Sequence, residues 1–168
     1  MRYLVTGGAG FIGSHYVRSL LAADLATGAV TDVTVLDALT YAGVRANLDP
    51  VADDLRLTFV HGSINDPAVV DPLVASADVI VHFAAESHVD RSIEGATDFV
   101  VTNVVGTQTL LDAALRHGVD RFVHVSTDEV YGSIDEGSWP ETHPVSPNSP
   151  YSASKAGSDL LAPVSYTH

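Results

Sequence analysis

The segment Gly7-Gly8-Ala9-Gly10-Phe11-Ile12-Gly13 restricts the fold more than any other part of the chain. It follows a short apolar run, Arg2–Thr6 (RYLVT), that reads as a buried strand. It opens a stretch, Phe11–Ala23, in which Phe11, Ile12, Val17, Leu20 and Leu21 recur at helical spacing. The glycines satisfy both GxxGxxG (Gly7, Gly10, Gly13) and GxGxxG (Gly8, Gly10, Gly13). A tight turn, a close backbone approach and close helix packing each need a missing side chain, and the free N–H groups of the helix start can hold a pyrophosphate. Such a pattern alone can be an ordinary glycine-rich turn. Its place between a strand and a helix points to a dinucleotide site.

The rest of the chain repeats the strand-then-helix alternation. Asp32–Asp37 (DVTVLD), Arg56–Val60 (RLTFV), Asp78–Phe83 (DVIVHF) and Arg121–Ser126 (RFVHVS) read as further strands. Asp66-Pro67 supplies an N-cap and a proline at the first helical position, so a helix to about Ser76 is expected. Thr97–His117 is a long helical stretch with Val100, Val104, Leu111 and Leu115 toward one side and Gly118 as its stop. Ser149-Pro150 starts another helix. Strands separated by helices imply an α/β fold: a Rossmann-type, doubly wound parallel sheet of order 3-2-1-4-5. Gly132–Ser149, with three prolines and the single Trp139, is the one long irregular stretch, and loops of that length are usually functional.

Charge and composition remove several function classes. Lys and Arg number 8 against 21 Asp and Glu, a formal charge of −13, which repels nucleic-acid phosphates. There is no cysteine, so disulfides, thiolate catalysis and Cys-based zinc sites are excluded. The N-terminal run is too short for a signal peptide, and no apolar run approaches the ~18 residues of a membrane span. A cytoplasmic protein is the expectation. His82 and His88 suggest a metal only weakly, because no further ligand stands at a usual spacing, and no metal is expected.

Asp37 ends the second strand, where a carboxylate hydrogen-bonds ribose hydroxyls and repels a 2′-phosphate, so NAD is favoured over NADP. The competing reading is a loop or capping carboxylate. No arginine follows Asp37 at once; Arg45 is the nearest. Ser63-Ile64, after the third strand, stands where an adenine would lie, although an acidic residue is the expectation at position 63.

Tyr151 and Lys155 stand one helical turn apart and share a face. A neighbouring cation favours phenolate, and a phenolate can take a proton from a sugar hydroxyl. In isolation YxxxK is usually an ordinary surface pair. Upstream, Ser126-Thr127-Asp128-Glu129 places two acids directly after a Ser-Thr pair. Dehydration needs one group to protonate a leaving hydroxyl and another to remove a carbon-bound proton, and two carboxyls in different environments can divide those roles. Simple oxidation or epimerisation needs neither.

Three segments in order carry a family likeness: Asp37-Ala38-Leu39-Thr40-Tyr41-Ala42-Gly43, His82-Phe83-Ala84-Ala85-Glu86-Ser87-His88-Val89-Asp90-Arg91-Ser92-Ile93 and Thr127-Asp128-Glu129-Val130-Tyr131-Gly132. They resemble the dTDP-glucose 4,6-dehydratases of the extended short-chain dehydrogenase/reductase family, from Met1 to about Leu161. Related epimerases lack the Asp-Glu pair, and GDP-mannose dehydratases usually carry Gln where Glu86 stands. The resemblance implies NAD held by Gly7, Gly10, Phe11, Ile12, Gly13, Asp37, Thr40, Ser63, Ile64, Ala84, Ala85, Tyr151 and Lys155. It implies Tyr151 as the base for oxidation at sugar C4, tuned by Lys155, with Thr127 on the C4 oxygen. Asp128 would protonate the C6 hydroxyl, and Glu129 would take the C5 proton. Ser87, His88 and Asp90 would line a nucleotide-sugar pocket. Asn103 would support the site, or be a polar helix residue at the sheet ends. A homodimer through the long helix and the Tyr–Lys helix is a further expectation.

The family runs on for about as many residues again, with a substrate domain. The resemblance therefore divides the chain into an incomplete NAD-binding domain, residues 1–162, and an unmatched tail, 163–168. Pro163 is expected to end the last helix near Ala162, since an interior proline costs ~3 kcal/mol. The fifth strand would be left as an exposed edge, with weak NAD binding and little or no turnover.

Overall fold

Strands buried on both faces need apolar side chains on both, and Leu4 and Val5 of the first strand, each 0% exposed, point to opposite sides of the sheet. In the computed structural model, which describes residues 1–22 and 29–167, this strand is the centre of the sheet. Five parallel strands, β1 (Arg2–Thr6), β2 (Asp32–Asp37), β3 (Leu57–His61), β4 (Val79–His82) and β5 (Arg121–His124), run in the order β3-β2-β1-β4-β5. The expected doubly wound topology is therefore present. One face carries Val5, Val33, Val35 and Val81 against Val17 and Leu20 of α1 (Phe11–Leu21). The other carries Leu4, Leu36 and Ile80 against Val70 and Val74 of α2 (Pro67–Ala75) and Leu110 and Ala114 further on. Each buried Val, Leu or Ile among them contributes about 1.5–3 kcal/mol.

Most boundaries fall within a residue or two of the sequence reading. Asp66 caps α2, its carboxylate accepting from the Ala68 N–H at 3.0 Å with Pro67 following. The expected strand at Arg56–Val60 is displaced by one residue, and the fifth ends at His124 rather than Ser126, because Val125–Thr127 leaves the ladder. The expected end of the first helix at Ala23 lies outside the described residues. The short helix α3 (Val89–Glu94) and a 3₁₀ turn at Arg45–Val51 fall on stretches with no periodic apolar signal, whereas α4 (Ala96–Phe99) begins the expected long helical stretch one residue early.

Two departures are larger. The long helix is not uniform: α4 passes through a π-helical stretch, Val100–Gly106, into α5 (Thr107–His117), which Gly118 ends at φ 66°. The wider π turn rotates the face that follows. Val100 and Leu115, expected inward with Leu111, are 48% and 49% exposed, whereas Phe99, Asn103 and Leu110 are buried. The last helix, α6 (Pro150–Thr167), continues through Pro163 rather than stopping before it. A proline withdraws one donor and crowds one carbonyl, and three turns already seated against the π segment and α5 hold the axis. No described helix is long and apolar enough to cross a membrane.

Candidate active site

The carboxyl ends of β1, β2, β4 and β5 open onto one cleft of about 540 Å³. Its floor is the glycine turn. Gly7, at φ 69°, donates its N–H to the Leu36 carbonyl at 2.9 Å, and a Cβ there would stand 2.6 Å from the Ala84 nitrogen. A Cβ on Gly13 would overlap the Gly7 carbonyl. Gly10 precedes α1 with no side-chain cap and no acid in the first turn, so the first-turn N–H groups face the cleft without a competing anion. That cradle suits a diphosphate.

Asp37 has both roles weighed for it within reach. Its carboxylate is 7% exposed and accepts from the Ala9 N–H at 2.9 Å and the Leu39 N–H at 2.8 Å, bracing the glycine turn against the next loop. It also lines the cleft, with a second lone pair on each oxygen. Every residue expected at a dinucleotide lines this cleft, and Ser87 joins them. His88 and Asp90 lie outside it: His88 packs edge-on to Tyr41, and Asp90 stands in the first turn of α3. Thr102 and Val125 line it without having been singled out, and Glu86, noted in the sequence only as a mark of the family, lines it too.

Tyr151, Lys155 and Asp159 succeed one another at one-turn intervals on α6 and face the segment that leaves β5. The Lys155 ammonium, 4% exposed, donates to the Val125 carbonyl at 2.7 Å. The Ser126 hydroxyl donates to Asp159 in a short hydrogen bond. Two consecutive residues are thus clamped from one helix face. Thr127, Asp128 and Glu129 follow beyond the rim of the cleft, where Thr127 caps a 3₁₀ turn, Asp128–Tyr131, by accepting from the Glu129 N–H at 3.3 Å. Asp159 was not singled out in the sequence, although its spacing from Lys155 was visible.

Burial pushes the Tyr151 phenol above its ordinary value; a hydrogen bond with Thr127 works the other way, and the Glu129, Asp128 and Asp159 carboxylates push it up again. Lys155 was expected to lower it, but the ammonium is engaged by Val125 and is itself pushed down by burial, with Asp159 opposing. In this arrangement the phenol holds its proton until further positive charge enters the cleft.

Beneath lies a buried polar row. Thr6, His82 and His124 are in register across β1, β4 and β5. The Thr107 hydroxyl donates to the Asn103 carbonyl at 2.6 Å, so it accepts from His82 Nε2 at 3.0 Å; Nδ1 then accepts from Thr6 at 2.6 Å. His82 is satisfied only as a neutral ring. Burial holds its pKa well below the usual histidine value, helped by His124, stacked on it at 5.4 Å, and by Lys155. With both nitrogens engaged it is no metal ligand, and the described residues hold no group of three His, Asp or Glu suited to one. Asn103, from the π stretch, accepts from the Glu86 N–H at 2.8 Å and donates to the Glu86 carbonyl and the Ser154 hydroxyl, each at 2.9 Å. Of its two readings the supporting one fits this geometry.

The chain is similar to proteins already known. A family described as GDP-mannose 4,6 dehydratase matches residues 4–168. A dTDP-glucose 4,6-dehydratase of Actinoplanes sp. is 61% identical over 163 residues, covering 96% of this chain and 51% of the relative. One from Streptomyces antibioticus is 66% identical over 163 residues, covering 96% and 48%. The crystal structure of a dTDP-glucose 4,6-dehydratase from Streptomyces venezuelae with NAD bound superposes with a TM-score of 0.97 at 63% identity, over 99% of this chain and 52% of that one. The chain thus spans about half the length of the curated relatives it matches.

Proposed function

The chain belongs to the GDP-mannose 4,6 dehydratase family, and from that premise we propose that it is the NAD-binding part of a nucleotide-sugar 4,6-dehydratase acting on dTDP-glucose. One observation carries the reading: Lys155 and Asp159 hold Val125 and Ser126, so that Thr127, Asp128 and Glu129 follow directly beside a cleft whose glycine floor suits a diphosphate. An epimerase has no use for the two acids.

Residues 1–162 are the NAD-binding domain in this reading, and Asp37 takes the ribose hydroxyls with its free lone pairs. NAD held by these residues would supply hydride chemistry, a proton with two electrons taken from sugar C4 and given back at C6. Thr127 hydrogen-bonds the C4 oxygen while Tyr151 takes its proton. Glu129 removes the C5 proton and Asp128 protonates the departing C6 hydroxyl, so one water leaves; as hydride adds at C6 a proton returns from Glu129 to C5, and a 4-keto-6-deoxy sugar nucleotide remains. Lys155 adds positive charge near the phenol and fixes Val125. Ser87 lies nearest the sugar, with His88 and Asp90 beyond. The exposed apolar residues Val101, Val105 and Leu160 on the π stretch and α6 support a homodimer through these helices. We place the enzyme in the cytoplasm, in keeping with its cysteine-free sequence.

The test is incubation with NAD and dTDP-glucose, following the alkaline absorbance of the 4-keto product. NAD binding by calorimetry with little or no product is the expected result for this chain, and any product that does form should disappear in Tyr151→Phe. Product from Tyr151→Phe, or no NAD binding by the unsubstituted chain, overturns the proposal. NAD binding without product assigns the chemistry to a longer form.

A further inference from the structure

The loops after β2 and β4 touch, although β1 separates these strands in the sheet. A bridge between them must cross two strand spacings, roughly 10 Å. It therefore passes over the carboxyl end of β1, above the glycine turn and the start of α1. Tyr41 makes this bridge. Its hydroxyl oxygen accepts from the Ser87 N–H at 3.3 Å, its ring lies under the Arg91 guanidinium at 4.1 Å, and His88 stands edge-on at 6.3 Å. Both arms are anchored at their bases. On one side the Val44 N–H donates to the Ala9 carbonyl at 3.0 Å, and Leu39 is held by Asp37. On the other, Asn103 holds the Glu86 backbone. The bridge is exposed at its tip, where Tyr41 is 42% exposed.

We propose that Tyr41, Ser87 and Arg91 form a clasp over the diphosphate site, which must open for a dinucleotide to enter or leave. The inference rests on the reading of the cleft as an NAD site. The clasp contacts join protein to protein, so loosening them speeds entry and exit together and leaves the equilibrium nearly unchanged. Such a device suits a cofactor that is regenerated in each cycle and need not leave.

Stopped-flow NADH fluorescence with the full chain tests this: association on mixing, and dissociation on displacement by excess NAD. Tyr41→Ala should raise both rates about tenfold with Kd within about twofold, given an exposed cation–π contact and one hydrogen bond. Tyr41→Phe, which keeps the ring for Arg91, should raise both about threefold. An unchanged exit rate overturns the clasp. So does a faster exit with unchanged entry, which would make Tyr41 a direct ligand contact. A chain that binds no NADH before substitution overturns the cofactor reading itself, and the clasp with it.

Discussion

Lowering the pH from 7 to 5 should destabilise this protein through one residue, His82. Its two nitrogens are committed to Thr6 and Thr107 in a pattern that only the neutral ring satisfies, and burial, His124 and Lys155 all oppose its protonation. In the unfolded chain the same imidazole takes a proton near pH ~6.5. Above that value neither state binds the proton and the contribution to pH dependence is nil. Below it the unfolded state gains a proton that the native state refuses, so stability falls by about 1.4 kcal/mol per pH unit. Between pH 6.5 and 5 the loss is about 2 kcal/mol, a fall in Tm of roughly 4–8 °C for a chain of this size. Carboxylates with lowered pKa values, such as Asp54 at about 2, titrate below this window. Calorimetric melts at pH 7, 6 and 5 for the parent and for His82→Gln would measure it. The variant should melt lower at pH 7, since a buried network is disturbed, but with a nearly flat profile from 7 to 5. A parent with no slope, or a variant that keeps it, would refute the assignment of the neutral ring.

Two further outcomes follow from the geometry. Gly13→Ala places a methyl on the Gly7 carbonyl, and should lower stability by about 1–3 kcal/mol and weaken NAD binding at least tenfold, read by urea titration and calorimetry. Asp159→Asn keeps an acceptor for Ser126 but removes a charge that raises the Tyr151 pKa; spectrophotometric titration, with Tyr151→Phe as the subtraction, should show the phenol ionising at lower pH than in the parent.

What could be read in the sequence was what neighbouring residues determine. The glycine turn needs only its own missing side chains, and the strand order follows from alternation and crossover handedness. Asp66 and Gly118 mark helix ends through contacts a few residues away. The rest depends on distant partners. The buried side of the long helix carries Phe99, Asn103 and Leu110, with Val100 and Leu115 outward, and no apolar spacing announces the π stretch within it. Asp159 looked like a helix-surface acid until Ser126 came against it. Tyr41 belonged to a recognisable segment, but its partners lie in a loop brought near only by the sheet. Pro163 was weighed by its local cost alone, whereas packing decides whether a helix bears it.

Asn103 treats Glu86 as a neighbouring strand would, taking the N–H and supplying a donor to the carbonyl of the same residue. The placement of the loop after β4 is thereby written into main-chain atoms. Side chains at 86, 87 and 88 can be exchanged without loss of the bonds that locate them. Substitutions at these positions can therefore alter the lining of the cleft while the backbone of the loop stays in place.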